Sequence, residues 1–321
     1  MRESRKVMRH LRDKQPAFAT IAKSNLGHDM PACQIRQPEK TAVGGNVHQP
    51  PPFESLCAET RLRLSSVERA LSALLKEELS RAGSNCHSAI LPSDLLSAVA
   101  RLHHPLSEHF IAKHLQGNRP IVQGTQLAVS EKERVSVEEN SLPLVCRELS
   151  LAIRSNDPDY FVKTLADIAS QSCGRETNIR AGDVSLGVDQ GGQYWAFPHA
   201  ERVIPLLRDL HANLKTARES STLFAAIVAL VNINCIHPFM DGNGRTSRIV
   251  FNAMLVDDGL LDPQAYIPCK HIYAISKYGF EIRLRQIILK NEWLPMITYF
   301  IDLVDLFCAL AKGDGIARLG E

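Results

Sequence analysis

Apolar residues recur at helical spacing along most of the chain, and this pattern predicts a mostly helical protein. The first periodic segment places these apolar positions on one helix face: Leu56, Leu64, Val67, Leu71, Leu74, Leu75 and Leu79. They predict an amphipathic helix that ends near Gly83. Similar periodicity predicts helices over 91–102 (with Ser93 as N-cap), 142–154, 159–170, 198–214, 245–258, 276–290 and 293–310.

One segment, 221–232, is apolar on nearly all sides rather than on a single face. A helix of this kind belongs in the middle of a bundle, where other helices cover it. Its apolar run from Leu223 to Val231 is far too short to cross a bilayer, so we expect no membrane span.

Two stretches lack an apolar period and divide the chain. Residues 32–52 contain Gly-Gly and a proline triplet, which are typical of a linker, and 117–141 are polar and rich in turn residues. We therefore expect ordered structure to begin near Phe53. The predicted organisation is a basic, disordered tail and linker over 1–52, an N-terminal helical region over 53–140 and a main domain over 141–321.

The pattern changes to that of strands between Asp183 and Phe197. Two short β-prone runs, DVSLGV and QYWAF, flank the turn sequence DQGG there, which predicts a β-hairpin. A single hairpin among helices has unpaired edges, so we expect it to receive an extended segment of another chain.

Composition narrows the class of protein but not its partners. The apolar fraction of 45%, the charged fraction of 22% and the net charge of +2 are ordinary for a soluble globular protein. The eight cysteines show no CxxC pair, so we expect neither a zinc site nor a disulfide framework. Reduced thiols and the lack of a visible signal peptide favour the cytoplasm. The first forty residues are basic, which suits a solvated tail, a targeting signal, or contacts with nucleic acid or membrane.

The strongest chemical signal is the loop sequence IHPFMDGNGR, which follows the apolar segment 221–232. Gly242, Asn243 and Gly244 favour backbone conformations whose N–H groups converge on an anion. The helix expected from Arg245 points its positive end at the same place. The loop therefore predicts a phosphate-binding site.

Charged groups complete this predicted site. Arg245 and Arg248 are three positions apart and share a helix face, so both can reach phosphates bound there. Asp241 supplies an oxygen ligand suited to magnesium, and His237 can accept a proton near neutral pH. Together these groups predict a nucleotide-dependent group transfer.

The stretch H-P-F-x-D-G-N-G-R-x-x-R, from His237 to Arg248, resembles the motif of the Fic (filamentation induced by cAMP) family at every defining position. A weaker resemblance extends over 142–310. It implies an all-α, Fic-type helical bundle with a small β-hairpin flap, preceded here by an extra N-terminal helical region. It also implies a protein adenylyltransferase, which transfers AMP from ATP to a Ser, Thr or Tyr hydroxyl of a target protein, with autoAMPylation as a side reaction.

The resemblance assigns a role to each position of the motif. His237 is the general base that deprotonates the target hydroxyl, Asp241 binds Mg²⁺, and Phe239 anchors the loop in the core. The remaining positions contact the phosphates of ATP: Gly242, Asn243 and Gly244 at the α- and β-phosphates, Arg245 as the neutralising charge, and Arg248 at the γ-phosphate. Such positioning and charge stabilisation generally accelerate transfers of this type.

The flap of the family clamps the target by strand addition. Here the flap is the segment from Asp183 to Phe197, with Gly187, Tyr194 and Trp195 as the expected contact residues. Tyr194 and Trp195 could also stack on a base. Packing of both side chains against the domain is an equally good interpretation, because alternate residues of the hairpin must face inward.

Many family members carry an inhibitory helix with the pattern [S/T]-x-x-x-E-[G/N], whose glutamate pairs with the second arginine of the motif. No segment of this chain matches the pattern fully. Within RVSVEEN (134–140), Glu139 is the candidate, although Ser136 is one residue too close. We therefore expect weak or absent self-inhibition, or inhibition by a separate antitoxin-like protein.

The sequence does not decide between several possible functions. The same scaffold supports transfer of UMP, GMP, phosphoryl or phosphocholine groups, or removal of AMP. Gly244 favours nucleotidyl transfer, because phosphorylating relatives tend to have lysine there. A non-catalytic binding module that uses residues 53–116 is a further alternative. The target protein, a homo-oligomeric state, and a secreted or translocated effector role instead of a cytoplasmic one are also left open.

Overall fold

The computed structural model describes residues 41–45, 47–81, 100–107, 129–186, 193–263 and 265–312, which form helices and one small sheet. The helices are Ala58–Arg81 (α1), Val129–Arg154 (α2), Pro158–Cys173 (α3), Ala200–Ser220 (α4), Thr222–Ile236 (α5), Asn243–Asp257 (α6), Cys269–Ile275 (α7), Gly279–Lys290 (α8) and Leu294–Lys312 (α9). The strands are Thr41–Gly44 (β1), Ser185–Leu186 (β2) and Gln193–Ala196 (β3), and a short 3-10 turn covers Phe53–Ser55. This architecture confirms the mostly helical bundle that the apolar periodicity predicts.

Helix α5 is the centre of the bundle. Every residue from Leu223 to Ile233 is buried, and helices α4 and α6 pack along it. Ser221 caps its start, because the Ser221 Oγ accepts a hydrogen bond from the Phe224 N–H at 3.1 Å. Burial of each large apolar side chain stabilises the fold by about 1.5–3 kcal/mol. This helix therefore gives a rigid base to the loop that follows it.

Helix α2 is the largest departure from the prediction. It begins at Val129 and passes through Pro143, so the connection expected over 117–141 is helical from residue 129 onward. The predicted domain boundary between residues 140 and 141 lies inside this continuous helix. The segment lacks an apolar stripe because two of its inward-facing residues, Glu138 and Ser141, are polar and buried. Its Glu, Lys and Arg residues nevertheless favour a helix.

The predicted hairpin is present as strands β2 and β3, which pair antiparallel with Ser185 opposite Ala196. A third strand, β1, pairs with β3 in parallel, and the strand order is β1-β3-β2. Strand β1 comes from the stretch that was predicted to be a linker. The expectation that the hairpin has unpaired edges is therefore wrong for β3.

Some predicted features fall on residues outside the described ranges: the tail up to residue 40, Ser93 with most of the helix expected over 91–102, and the turn of the hairpin with Gly187. Within the described ranges, none of the helices combines the length and the hydropathy that a bilayer crossing needs.

Candidate functional site

Helix α5 ends at His237, the first residue of the motif loop. His237 has left-handed backbone angles, φ 52° and ψ 59°, and its N–H donates to the Ile233 carbonyl at 3.0 Å. For a residue with a Cβ, this conformation costs roughly 1–2 kcal/mol. The surrounding contacts must therefore hold the backbone in place.

Arg180 provides these contacts from the segment that leads into the hairpin. Its buried guanidinium donates to the carbonyls of His237 at 2.8 Å, Gly182 at 2.9 Å and Pro198 at 2.5 Å, and its own N–H donates to the Pro238 carbonyl at 2.9 Å. Gly182 precedes β2 and Pro198 follows β3, so Arg180 ties the motif loop to both ends of the hairpin. Sequence analysis missed this residue, because a single arginine before a hairpin forms no recognisable pattern.

The imidazole of His237 lies against the ring of Phe197, with the ring centroids 3.9 Å apart and the planes 17° from parallel. Burial of the imidazole, aided by the charge of Arg180 and opposed by a hydrogen bond to the backbone of Asn234, lowers the pKa of His237 to about 4. His237 is therefore neutral at physiological pH, which is the form that can accept a proton.

Asn243 anchors the middle of the loop. Its Oδ1 accepts from the Phe239 N–H at 2.9 Å, and its Nδ2 donates to the Phe239 carbonyl at 2.8 Å. Phe239 is fully buried, so this two-point contact attaches the loop to the core. The side chain of Asn243 therefore maintains the shape of the loop, and its backbone N–H belongs to the first turn of α6.

Gly242 is the N-cap of α6 and has a φ of 88°. A Cβ at Gly242 would meet the Sγ of Cys173 at 2.5 Å, and a Cβ at Gly244 would meet Nη1 of Arg248 at 3.1 Å. Of the three residues expected to form a nest, only Gly242 has a positive φ, whereas Asn243 and Gly244 are helical. The candidate anion site is consequently the N-terminus of α6, whose first N–H groups have no partner within the helix.

Asp241 lies at the rim of this site with its side chain 56% exposed. Its carboxylate accepts from the Gly242 N–H at 2.7 Å, from Arg245 at 3.0 Å and from Arg175 at 3.3 Å. Burial opposes ionisation, but the Gly242 N–H and the charge of Arg245 lower the pKa of Asp241. Arg245 also donates to the Ser172 carbonyl at 2.9 Å, which holds it between α3 and the loop. Sequence analysis missed Arg175, because it lies outside the motif.

The chemistry of Asp241 suits a magnesium ion. Mg²⁺ is usually held by one or two carboxylates, with phosphate and water oxygens as its remaining ligands. Within the described residues, no group of three or more His, Cys, Asp and Glu side chains forms a metal site. Asp241 is the residue that would hold such an ion.

Arg248 is buried and paired with Glu138 of α2. Its Nε donates to Glu138 Oε2 at 2.9 Å, and its Nη2 donates to Glu138 Oε1. The hydroxyl of Tyr266 donates to the same Oε2 at 2.5 Å. Burial disfavours the charged guanidinium, but Glu138 outweighs it and raises the pKa of Arg248.

This pair corrects the candidate inhibitory residue Glu139. Glu139 is exposed, whereas its neighbour Glu138 faces Arg248. Successive residues of a helix point about 100° apart, so only one of the two can face α6. The sequence pattern could not choose between them, because neither glutamate has Ser or Thr four residues before it.

The flap residue Trp195 is turned into the protein. It is buried, and the guanidinium of Arg285 lies over its ring, 5.0 Å from the centroid. Tyr194 is half-buried, and Gly187 lies outside the described residues. For Trp195 the structure therefore supports the packing interpretation. The side chain of Trp195 faces the protein, whereas the backbone of β3 pairs with the other strands.

The fold and the loop define a helical bundle in which one short loop joins a neutral histidine to a helix N-terminus whose N–H groups could accept an anion. Residues 159–255 match the sequence profile of the Fic/DOC family. This match confirms the family resemblance that the motif predicts for this part of the chain.

Individual relatives are distant. A stretch of 66 residues is 38% identical to a probable protein adenylyltransferase of Aquifex aeolicus (strain VF5), and it covers 20% of this chain and 21% of that protein. The match thus spans about a fifth of the length of the curated relative. Among solved structures, Fic-1 from C. elegans gives a TM-score of 0.44 at 17% identity and covers 80% of this chain and 72% of that chain. A Fic domain containing signaling protein from Bacteroides thetaiotaomicron VPI-5482 gives 0.45 at 13% identity, with 81% and 98% covered.

Proposed function

We propose that this protein is an adenylyltransferase that transfers AMP from ATP to a Ser, Thr or Tyr hydroxyl of a target protein. The observation that carries the proposal is the motif loop, which places a neutral His237 and the N-terminus of α6 within a few residues of each other. A base beside a phosphate site suits transfer from a nucleotide to a hydroxyl. The Fic/DOC match and the name of the Aquifex relative support the same class of transferase.

The nucleotide would bind at the start of α6. Backbone N–H groups of its first turn and the guanidinium of Arg245 would bind the α- and β-phosphates. Asp241 would hold a magnesium ion together with these phosphates, and the ion would neutralise part of their charge. The target would dock on the flap as an extended strand, with its hydroxyl beside His237.

In the transfer step, the oxygen of the target hydroxyl attacks the α-phosphorus and His237 takes the proton of that hydroxyl. A bond forms between this oxygen and the α-phosphorus, and the bond to the oxygen that bridges the α- and β-phosphates breaks, so pyrophosphate leaves. The N–H groups of α6 and Arg245 stabilise the charge that moves onto the leaving group. Meanwhile, Arg180 holds the backbone of His237 through its carbonyl, and the ring of Phe197 lies against the imidazole.

The Glu138–Arg248 pair would restrain this activity. The family resemblance assigns the γ-phosphate to Arg248, whose guanidinium is engaged by Glu138. We infer that ATP binds productively only after Glu138 withdraws, so the protein is held back by its own helix α2. This inference replaces the expectation of weak or absent self-inhibition, and it needs no separate antitoxin-like chain.

The test compares transfer of a radioactive label from the α-phosphate of ATP with transfer from the γ-phosphate. The variant Glu138→Ala should transfer label from α-³²P-ATP, but not from γ-³²P-ATP, to itself and to proteins of a cell lysate in the presence of Mg²⁺. The double variant Glu138→Ala/His237→Ala should transfer none, although it binds ATP equally well.

Other outcomes select the other functions. Label from γ-³²P-ATP would assign phosphoryl transfer, and stronger labelling from α-³²P-labelled UTP or GTP would assign another nucleotide. ATP binding by the Glu138→Ala variant without any transfer would leave only a binding module. Loss of label from an AMP-modified protein would instead indicate removal of AMP.

A further inference from the structure

The edge of β3 that faces away from β2 is occupied by the protein's own strand β1. The two strands are parallel and in register over four residues, from Thr41 opposite Gln193 to Gly44 opposite Ala196. The N–H of Gly45 extends the ladder by donating to the Ala196 carbonyl at 2.8 Å. Within the described residues, β3 is thus paired with β1 along one edge and, at Trp195 and Ala196, with β2 along the other.

The chain that follows β1 is attached to the helical bundle. Val47 packs on the core, His48 Nε2 lies 3.1 Å from the Ile288 carbonyl, and Asn213 bonds to Gln49. The ring of Phe53 packs edge-on against a core phenylalanine at 5.5 Å. A short tether of this kind corresponds to an effective concentration on the order of 1 mM, so β1 competes strongly for the edge beside it.

The register of β1 places no hydroxyl-bearing side chain at the end of the strand nearest to Phe197 and His237. Gly44 lies opposite Ala196, the residue before Phe197, whose ring stacks on His237. The only hydroxyl-bearing residue of β1 is Thr41, three positions away, or about 10 Å along the strand. The end of β1 next to Phe197 therefore carries glycine where a substrate would need Ser, Thr or Tyr.

We propose that residues 41–45 are a built-in, non-modifiable occupant of the target-docking edge of β3, and that a target segment binds by replacing them. The matching partner is an extended segment that pairs in parallel with β3 and carries a hydroxyl at the position of Gly44 or Gly45. The docking part rests on the proposed function, whereas occupancy of the edge does not. This restraint is separate from the Glu138–Arg248 pair, because one blocks the target and the other the nucleotide.

A binding experiment without catalysis tests the occupancy. Gly45→Pro removes the N–H that bonds Ala196 and cannot adopt the φ of 80° found at Gly45. Gly45→Asn is the matched control, because it keeps the N–H, tolerates a positive φ, and finds no atom within 4 Å of its Cβ. The probe is a fluorescein-labelled peptide of residues 38–49, PEKTAVGGNVHQ, measured by anisotropy on the full-length protein.

We expect Gly45→Pro to bind this peptide at least tenfold more tightly than the wild type or Gly45→Asn. Hydrogen exchange at residues 193–196 should be faster in Gly45→Pro and slow again when the peptide is added. Equal peptide binding by all three proteins, or no binding to any of them, would overturn the occupancy.

A labelling experiment tests the docking part. In the Glu138→Ala background, adding Gly45→Pro should raise the rate of labelling of lysate proteins at least threefold relative to Gly45→Asn, with the Kd for ATP unchanged. A rate that is unchanged or lower would show that targets do not use this edge. If no variant transfers label, the proposed function fails, and the peptide experiment still decides the occupancy.

Discussion

Arg248 and Glu138 form a buried, two-point ion pair that joins α6 to α2 across 110 residues of sequence. Removal of one partner from such a pair leaves an uncompensated charge in the interior. Any event that takes Glu138 away must therefore give Arg248 another anion. A nucleotide phosphate at the start of α6 would be such an anion, so we expect the proposed restraint and the stability of the fold to be coupled through this guanidinium.

Replacement of Glu138 tests this exchange of partners. Glu138→Ala should lower the free energy of unfolding by about 3–5 kcal/mol in the absence of nucleotide. Mg-ATP should restore a large part of this loss, because its phosphate takes the place of the carboxylate. The rate of AMP transfer should rise at least tenfold. Thermal unfolding with and without Mg-ATP, and labelling from α-³²P-ATP, measure the two effects.

Glu139→Ala is the matched control for this variant, because Glu139 is the exposed neighbour on the same helix. Its free energy of unfolding should stay within about 0.5 kcal/mol of the wild type, with no gain in labelling. Activation by Glu139→Ala but not by Glu138→Ala would contradict the assignment of the restraint to Glu138.

Tyr266 is the second group that holds Glu138. Tyr266→Phe removes a hydrogen bond to a charged acceptor, which contributes about 1.5–3 kcal/mol. Labelling by this variant should therefore fall between the wild type and Glu138→Ala. The double variant Tyr266→Phe/Glu138→Ala should label no faster than Glu138→Ala alone. A faster double variant would mean that Tyr266 acts on another step.

Arg180 should control both the position and the protonation of His237, and two variants in the Glu138→Ala background separate these effects. With Arg180 present, the rate should be constant down to about pH 5 and fall as pH drops through the His237 pKa of about 4. Arg180→Met removes a positive charge that lowers this pKa, so the fall of the rate at acid pH should begin at a higher pH. Arg180→Lys keeps the charge but cannot reproduce the fan of hydrogen bonds, so kcat should fall while the drop of the rate at acid pH stays near pH 4. Identical pH profiles for both variants would refute the electrostatic part.

Gly242 should tolerate no side chain. Gly242→Ala combines a φ of 88° with a clash of 2.5 Å against Cys173 Sγ, and it should lower both stability and the affinity for ATP. Gly259→Ala is the control, because its φ of 67° is strained but no atom lies within 4 Å. The free energy of unfolding of that variant should fall only by the conformational cost, about 1–2 kcal/mol. Adding Cys173→Ala to Gly242→Ala should recover the difference, as measured by chemical denaturation, and no recovery would contradict the steric argument.

The apolar periodicity predicted the core helices close to their observed bounds. The all-round apolar segment 221–232 became the central helix α5, because burial on every side leaves a clear sequence pattern. The apolar periodicity did not predict the helix over residues 129–141, because the inward-facing Glu138 is polar and its partner is far away in the chain. It also missed β1, because four residues beside glycines and prolines show no alternation that predicts a strand.

The sequence by itself determined the motif loop: the glycine at the start of α6, the buried anchor Phe239 and the chemistry of His237 and Asp241 all follow from local residue types. Only the tertiary structure decided what holds and occupies that site. Arg180 reaches the His237 carbonyl across 57 residues, and Arg248 meets Glu138 across 110. Such contacts depend on how helices and strands pack after the chain has folded, so no local spacing of residue types can specify them.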